Sequence, residues 1–127
     1  MGDVKMKIKI LTDEIYGKID ECNDRISHYT FHRCFRLKDL ECVKKQAYSE
    51  ILEVIEKSSN AKELKERLQK KSYEEHGDYK GLLEKGFVRL AEEKYVASSV
   101  YFEVIENLQR IFYILPFRKN NRPKKDG

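Results

Sequence analysis

Between Phe87 and Leu115 the apolar residues Phe87, Leu90, Ala91, Ala97, Tyr101, Val104, Ile105, Leu108, Ile111, Phe112 and Leu115 recur at steps of three and four. That period puts them on one broad face of an α-helix, and Pro116 stops it. At 1.5 Å per residue the helix is about 43 Å long. So long an apolar stripe must be covered, and the elements that match it in length are other helices.

The remaining chain supplies them. Val4, Ile8, Leu11, Ile15, Ile19, Cys22, Ile26 and Tyr29 keep a helical period, although Val4, Met6, Ile8 and Ile10 also alternate with lysines as a strand would. No second strand offers itself as a partner, so a helix is expected from about Thr12, with Thr12 as N-cap and an undecided lead-in. A second helix reads from about Leu37 to Lys57 through Leu40, Val43, Ala47, Ile51 and Val54. Ser58–Asn60 interrupts it, and Asn60 followed by Glu63 signals the cap of a third helix through Leu64 and Leu68. Between Ser72 and Gly86 the residues His76, Gly77, Asp78, Gly81 and Gly86 read as a loop-rich zone. Outward-facing acids precede bases by four positions at Glu14/Lys18, Glu41/Lys45, Glu53/Lys57, Glu63/Arg67, Glu66/Lys70 and Glu106/Arg110, as solvated helix faces do. No internal repeat is evident. The expected fold is all-α: an antiparallel bundle of three to four helices over residues 1–117, with a long C-terminal helix and a disordered basic tail at 118–127.

The net charge of +4 sits in that tail, where Arg118, Lys119, Arg122, Lys124 and Lys125 face only Asp126 and leave residues 1–117 neutral. A neutral body argues against a nucleic-acid face spread over the fold and leaves the tail as the electrostatic element. Lysines break up the N-terminal apolar residues too often for a signal peptide, and the longest apolar run is too short to cross a bilayer. With three cysteines, Cys22, Cys34 and Cys42, the chain reads as a cytoplasmic protein with reduced thiols and no membrane insertion.

The segment DRISHYTFHR, residues 24–33, concentrates the side chains able to do chemistry. On a helix, Arg25, His28, His32 and Arg36 form one cationic ridge. Six residues separate Arg25 from His32, and this spacing resembles the arginine–histidine signature of the HEPN family of helical ribonucleases. The resemblance implies an arginine that stabilises the RNA phosphate and a histidine that moves a proton. Ile26 stands where that family has a polar residue. Cys22, His28, His32 and Cys34 are zinc-ligand types, yet a continuous helix turns Cys22 about 120° from His28 and Cys34 about 160° from His32. No metal site and no cofactor are expected.

On the last helix Tyr95, Tyr101, Phe102, Phe112 and Tyr113 are candidate partner contacts beside their role as core. The runs RLQKKSYEEHGDYKGLLEKG and SSVYFEVIENLQRIFYI, within residues 61–114, resemble the PhoU-like family of helical phosphate-transport regulators. Leu108, Arg110 and Ile111 match the pattern, whereas Asn107, Gln109, Tyr113 and Ile114 stand where its acidic metal-binding positions fall. The resemblance implies a helical bundle with a regulatory, non-catalytic role. The leading expectation is a small protein-interaction module that binds a protein partner or itself. The alternative is a nucleic-acid-associated protein using Arg25, His28, His32 and Arg36 with Arg118, Lys119, Arg122, Lys124 and Lys125, in its catalytic form a HEPN-like ribonuclease.

Overall fold

The computed structural model describes residues 2–114, with side chains from 3 to 112; the Tyr113 side chain and the tail with Arg118, Lys119, Arg122, Lys124 and Lys125 lie outside them. Four helices follow one another: α1 (Gly2–Phe31), α2 (Phe35–Lys57), α3 (Ala61–Glu84) and α4 (Val88–Gln109), the last continued by a π-helical turn, Arg110–Ile114. Three-residue connections force each helix antiparallel to the one before it. α1 pairs with α2 and α3 with α4, and the two hairpins meet through α2 and α4, which run in the same direction. The fold is an all-α bundle, and among the described residues no helix is long and apolar enough to cross a membrane.

Three sequence expectations are corrected. α1 begins at Gly2, ten residues before the expected cap, because Ile8 packs on the core and Leu11 is fully buried in it. Tertiary contact settles the contest between the two periods in favour of the helix. The zone from Ser72 to Gly86 is helical as far as Glu84. Gly77 and Gly81 each cost about 1 kcal/mol relative to alanine in a helix, and packing of α3 along α4 outweighs them. Finally, the α-helix of the last segment ends at Gln109, and the chain continues as the wider π turn. The cap at Asn60 forms as its spacing predicts: its side chain accepts from the Glu63 N–H at 2.8 Å, and the Glu63 carboxylate accepts from the Ser59 N–H.

The two hairpin turns are built alike. In the first, the Cys34 N–H donates to Tyr29 O at 2.8 Å around Arg33, which has φ 60°; in the second, the Phe87 N–H donates to Leu82 O at 2.9 Å around Gly86, at φ 86°. Both are Schellman closures with a left-handed residue after the helix. Arg33 and Gly86 are 53 positions apart, and the same offset runs through the molecule. Leu11/Leu64, Ile15/Leu68, Ala47/Val100, Tyr48/Tyr101, Ile51/Val104 and Ile55/Leu108 are buried pair by pair. The Tyr48 hydroxyl donates to Glu103 at 2.5 Å, and the Tyr101 hydroxyl donates to Glu50 at 2.8 Å. Glu50 and Glu103 are themselves 53 apart, so the two bonds are reciprocal, as a twofold relation requires. The chain is therefore two copies of one helical hairpin about a pseudo-twofold axis along the bundle. This corrects the reading that it carries no internal repeat. Few identities survive, among them Arg36/Arg89, Leu37/Leu90, Val43/Val96, Tyr48/Tyr101, Glu50/Glu103 and Glu53/Glu106.

The apolar core is concentrated toward the α2–α3 connection, in Leu11, Ile15, Ile51, Ile55, Leu64, Leu68, Val104, Ile105, Leu108 and Ile111. Toward the two hairpin turns the layer thins and ion pairs replace it. Arg36 holds the end together: it reaches Glu92 at 2.7 Å, Glu93 at 2.8 Å and the Arg89 carbonyl at 2.9 Å. This fastens the start of α2 to the first turns of α4.

Candidate functional site

The cationic ridge expected on one helix is divided between two. Arg25, His28 and His32 follow one another on α1 and the turn after it, but α1 ends at Phe31 and Arg36 belongs to α2, committed to α4. Arg25 donates to Glu41 at 3.1 Å and pairs with Glu21 at 3.5 Å. Glu41, on α2, is buried; burial alone would push its carboxyl upward, but hydrogen bonds from Lys44 and Arg25 outweigh this and hold it below the ordinary range. The Cys22 thiol is pushed up to about 11 by burial and by the neighbouring Glu41 carboxylate, so it stays protonated and is no nucleophile at neutral pH. His28 and His32 are exposed, their rings tilted against each other with centroids 4.4 Å apart. Among the described residues no cluster of three or more His, Cys, Asp or Glu is arranged to hold a metal ion.

The aromatic residues expected to contact a partner separate into core and surface. Tyr101 is corrected: it is 0% exposed, sits between the hairpins and gives its hydroxyl to Glu50, so no partner can reach it in this fold. Burial and the carboxylate acceptor push both Tyr48 and Tyr101 well above the ordinary phenol range, keeping them hydrogen-bond donors at any working pH. Phe112 is half-buried against the core, with Lys7 Nζ 5.8 Å from its ring. Tyr95 and Phe102 remain, both exposed on the outer side of α4.

Those two residues are part of a larger surface that includes α3. Tyr73, 75% exposed, and His76 face Tyr95 and Phe102 across a cavity of about 320 Å³ that Ser98 and Ser99 floor. The Tyr79 ring lies 5.3 Å from the Tyr95 ring, tilted by 53°, and borders a second hollow of about 200 Å³, lined by Leu83, Val88 and Ala91. The two hollows adjoin at Tyr95 and together form a groove along the α3–α4 seam. Sequence reasoning missed Tyr73, His76 and Tyr79 because that segment read as loop. Their spacing of three was the available signal.

The internal repeat provides a control for this groove. At the positions 53 residues earlier, where the same hairpin geometry holds, Tyr73, His76, Tyr95, Ser98 and Phe102 correspond to Asp20, Asn23, Cys42, Lys45 and Ser49. The first hairpin folds with polar or small residues there, so the fold does not demand aromatics on this face.

Two further cavities, of about 340 and 330 Å³, flank the Tyr48/Tyr101 pair between the hairpins and are related by the pseudo-twofold axis. One is lined by Glu50, Glu75, Glu93 and Lys94, the other by Lys18, Arg25, Lys44 and Glu103. Lys94 lies 3.0 Å from Glu75 as an ion pair without directed hydrogen-bond geometry, and Lys18 lies 3.9 Å from Glu103. Glu93 is paired with Arg36, and Arg25 and Lys44 with Glu41.

Compared with protein-family models, with curated proteins and with solved structures, the chain finds no match in any of the three.

Proposed function

We propose that this chain is a small, non-catalytic regulatory or protein-interaction module whose α3–α4 groove receives an amphipathic helix of a protein partner. The observation that carries the reading is the asymmetry between the repeats. At the positions of Tyr73, His76, Tyr95 and Phe102 the first hairpin carries Asp20, Asn23, Cys42 and Ser49, while the second exposes Tyr73, Tyr95 and Phe102 around a groove. Exposed aromatics enriched beyond what the fold needs are a mark of interaction surfaces, and a seam between two helices is the shape that accepts a third.

Photocrosslinking tests it. A benzophenone amino acid placed at Phe102 or Tyr95 is expected to capture a discrete protein partner, or a second copy of the chain, whereas the same group at Tyr16, exposed on α1 away from the groove, captures none. Tyr73→Ser should abolish capture from Phe102 without unfolding the bundle. Equal labelling from Tyr16, or none from the groove, rejects the reading.

The competing proposal is a nucleic-acid-associated protein, in its catalytic form a HEPN-like ribonuclease. It draws on His28 and His32, which are exposed and adjacent at the end of α1. It predicts RNA binding that weakens steeply with salt, and cleavage that Arg25→Ala and His32→Ala each remove. An intact RNA after prolonged incubation with the purified chain ends the catalytic form.

A further inference from the structure

The end of the bundle formed by the two hairpin turns exposes an apolar cluster that lies outside the core and shares only Val88 with the α3–α4 groove. Phe31 is 82% exposed; Phe35, Phe87, Val88 and Leu90 are more than half exposed, and Leu37 nearly so. The pairs Phe35/Val88 and Leu37/Leu90 are repeat equivalents, and the clamp from Arg36 to Arg89, Glu92 and Glu93 brings the two turns together. This is a two-sided tip, with apolar side chains carried on helix ends.

The charge left unpaired around the tip is mostly positive. The segments 30–38 and 84–90 contain Arg33, Arg36, Lys38, Lys85 and Arg89 against Glu84, with Asp39, Glu92 and Glu93 just outside them. Arg36 is held by Glu92 and Glu93 and Lys38 by Asp39, whereas Arg33, Lys85 and Arg89 have no ion pair among the described residues. His28 and His32 stand beside them, and Asp24 is the nearest acid on α1 outside the two segments. A second copy docking tip to tip would bring like charges together. Phe31, Phe35 and Phe87 offer π-faces to a nucleobase, but Leu37, Val88 and Leu90, half of the cluster, do not. What rewards a projecting apolar tip and a basic rim at once is an anionic bilayer surface: apolar side chains enter the interface while cations stay among acidic head groups.

We propose that the hairpin-turn end of the bundle docks, without spanning, onto negatively charged lipid surfaces, with Phe31, Phe35, Phe87 and Val88 entering the interface and Arg33, Lys85 and Arg89 meeting the head groups. Val88 is the one residue this surface shares with the α3–α4 groove, and Phe31, Phe35, Arg33 and Lys85 lie outside it, so lipid docking is tested without reliance on the function proposed above.

The full chain contains no tryptophan, so Phe35→Trp is a single reporter at the tip. With phosphatidylcholine/phosphatidylglycerol vesicles its emission should shift to the blue, and with pure phosphatidylcholine it should not. In co-sedimentation the full chain should bind the anionic vesicles at least tenfold more tightly than the neutral ones. The triple variant Phe31→Ser, Phe35→Ser, Phe87→Ser should lose at least tenfold of that affinity, as should Arg33→Glu with Lys85→Glu. An emission unmoved by anionic vesicles overturns the proposal, even where the chain sediments with them, because residues 118–127 alone then account for the attraction. An equal shift with single-stranded RNA or with polyglutamate in place of vesicles overturns it in favour of a soluble polyanion.

Discussion

Glu41 shows how a single residue can depend on neighbours that its sequence context does not name. Its local partner by spacing is Lys45, yet the folded carboxylate is held by Lys44 at 3.1 Å and by Arg25 of the neighbouring helix at 3.1 Å. Because its folded pKa is depressed, the carboxylate adds stability at neutral pH, and that contribution is lost as pH falls below the ordinary carboxyl value near about 4.3 and through the folded one. Urea midpoints measured between pH 7 and 3 should therefore fall with acid, and Glu41→Gln should flatten the descent. An unchanged slope in the variant would assign acid sensitivity elsewhere. At pH 7, Arg25→Ala should cost about 1–2 kcal/mol by leaving Glu41 with one cation. For the buried tyrosines the ring matters more than the hydroxyl. Tyr101→Ala should cost about 3–5 kcal/mol as a core cavity and Tyr101→Phe about 1.5–3 kcal/mol for the lost bond to a carboxylate, both measurable by chemical denaturation.

At the level of elements, the two turns make a matched experiment. Arg33 and Gly86 occupy the same left-handed position, which carries a penalty of about 1–2 kcal/mol for a residue with a Cβ. Arg33→Gly should thus raise stability by up to about 1 kcal/mol after the entropy of an added glycine is counted. Gly86→Ala should lower it by a similar amount, although a Cβ there meets nothing within 4 Å. Opposite signs from thermal unfolding would establish that backbone conformation, not contact, governs both sites. The cap at Asn60 is independent of either turn, and Asn60→Ala should cost about 1 kcal/mol. Among the ion pairs, Glu63/Arg67 forms at 3.6 Å as spacing predicts, whereas Glu14 turns to Arg110 and Lys18 to Glu103. Where a helix face meets another helix, long-range partners displace local ones.

Across the whole molecule the core is uneven, and its dynamics should follow. Fully buried aliphatic side chains crowd the half near the α2–α3 connection, while the half near the hairpin turns relies on Arg25, Arg36 and their carboxylates. Native-state hydrogen exchange should accordingly show the strongest protection in α2 from Ala47 to Ile55 and in α4 from Val100 to Leu108. Protection should be weaker in residues 24–31 and 76–84, which open first. Uniform protection along all four helices would contradict the division. The less apolar half is also the one that carries the exposed tip, so the surface proposed to meet lipid lies where local opening is expected to be least costly.

Read alone, the amino-acid order determined the helical class, the Asn60 cap and the helical period of the last segment, because periodicity and capping act over three or four residues and need no partner. Tertiary structure decided the start of α1, the helicity of 72–84, the burial of Tyr101, the partners of Arg25 and Arg36 and the pairing of Tyr73 with Phe102 across a groove. Each of these depends on contact between residues far apart in the chain. The 53-residue repeat lies between the two. Its identities are written in the sequence, but substitutions among apolar residues obscure them. Only the shared burial, the twin turns and the reciprocal Tyr–Glu bonds make the relation plain, since packing conserves shape and position where it does not conserve residue identity.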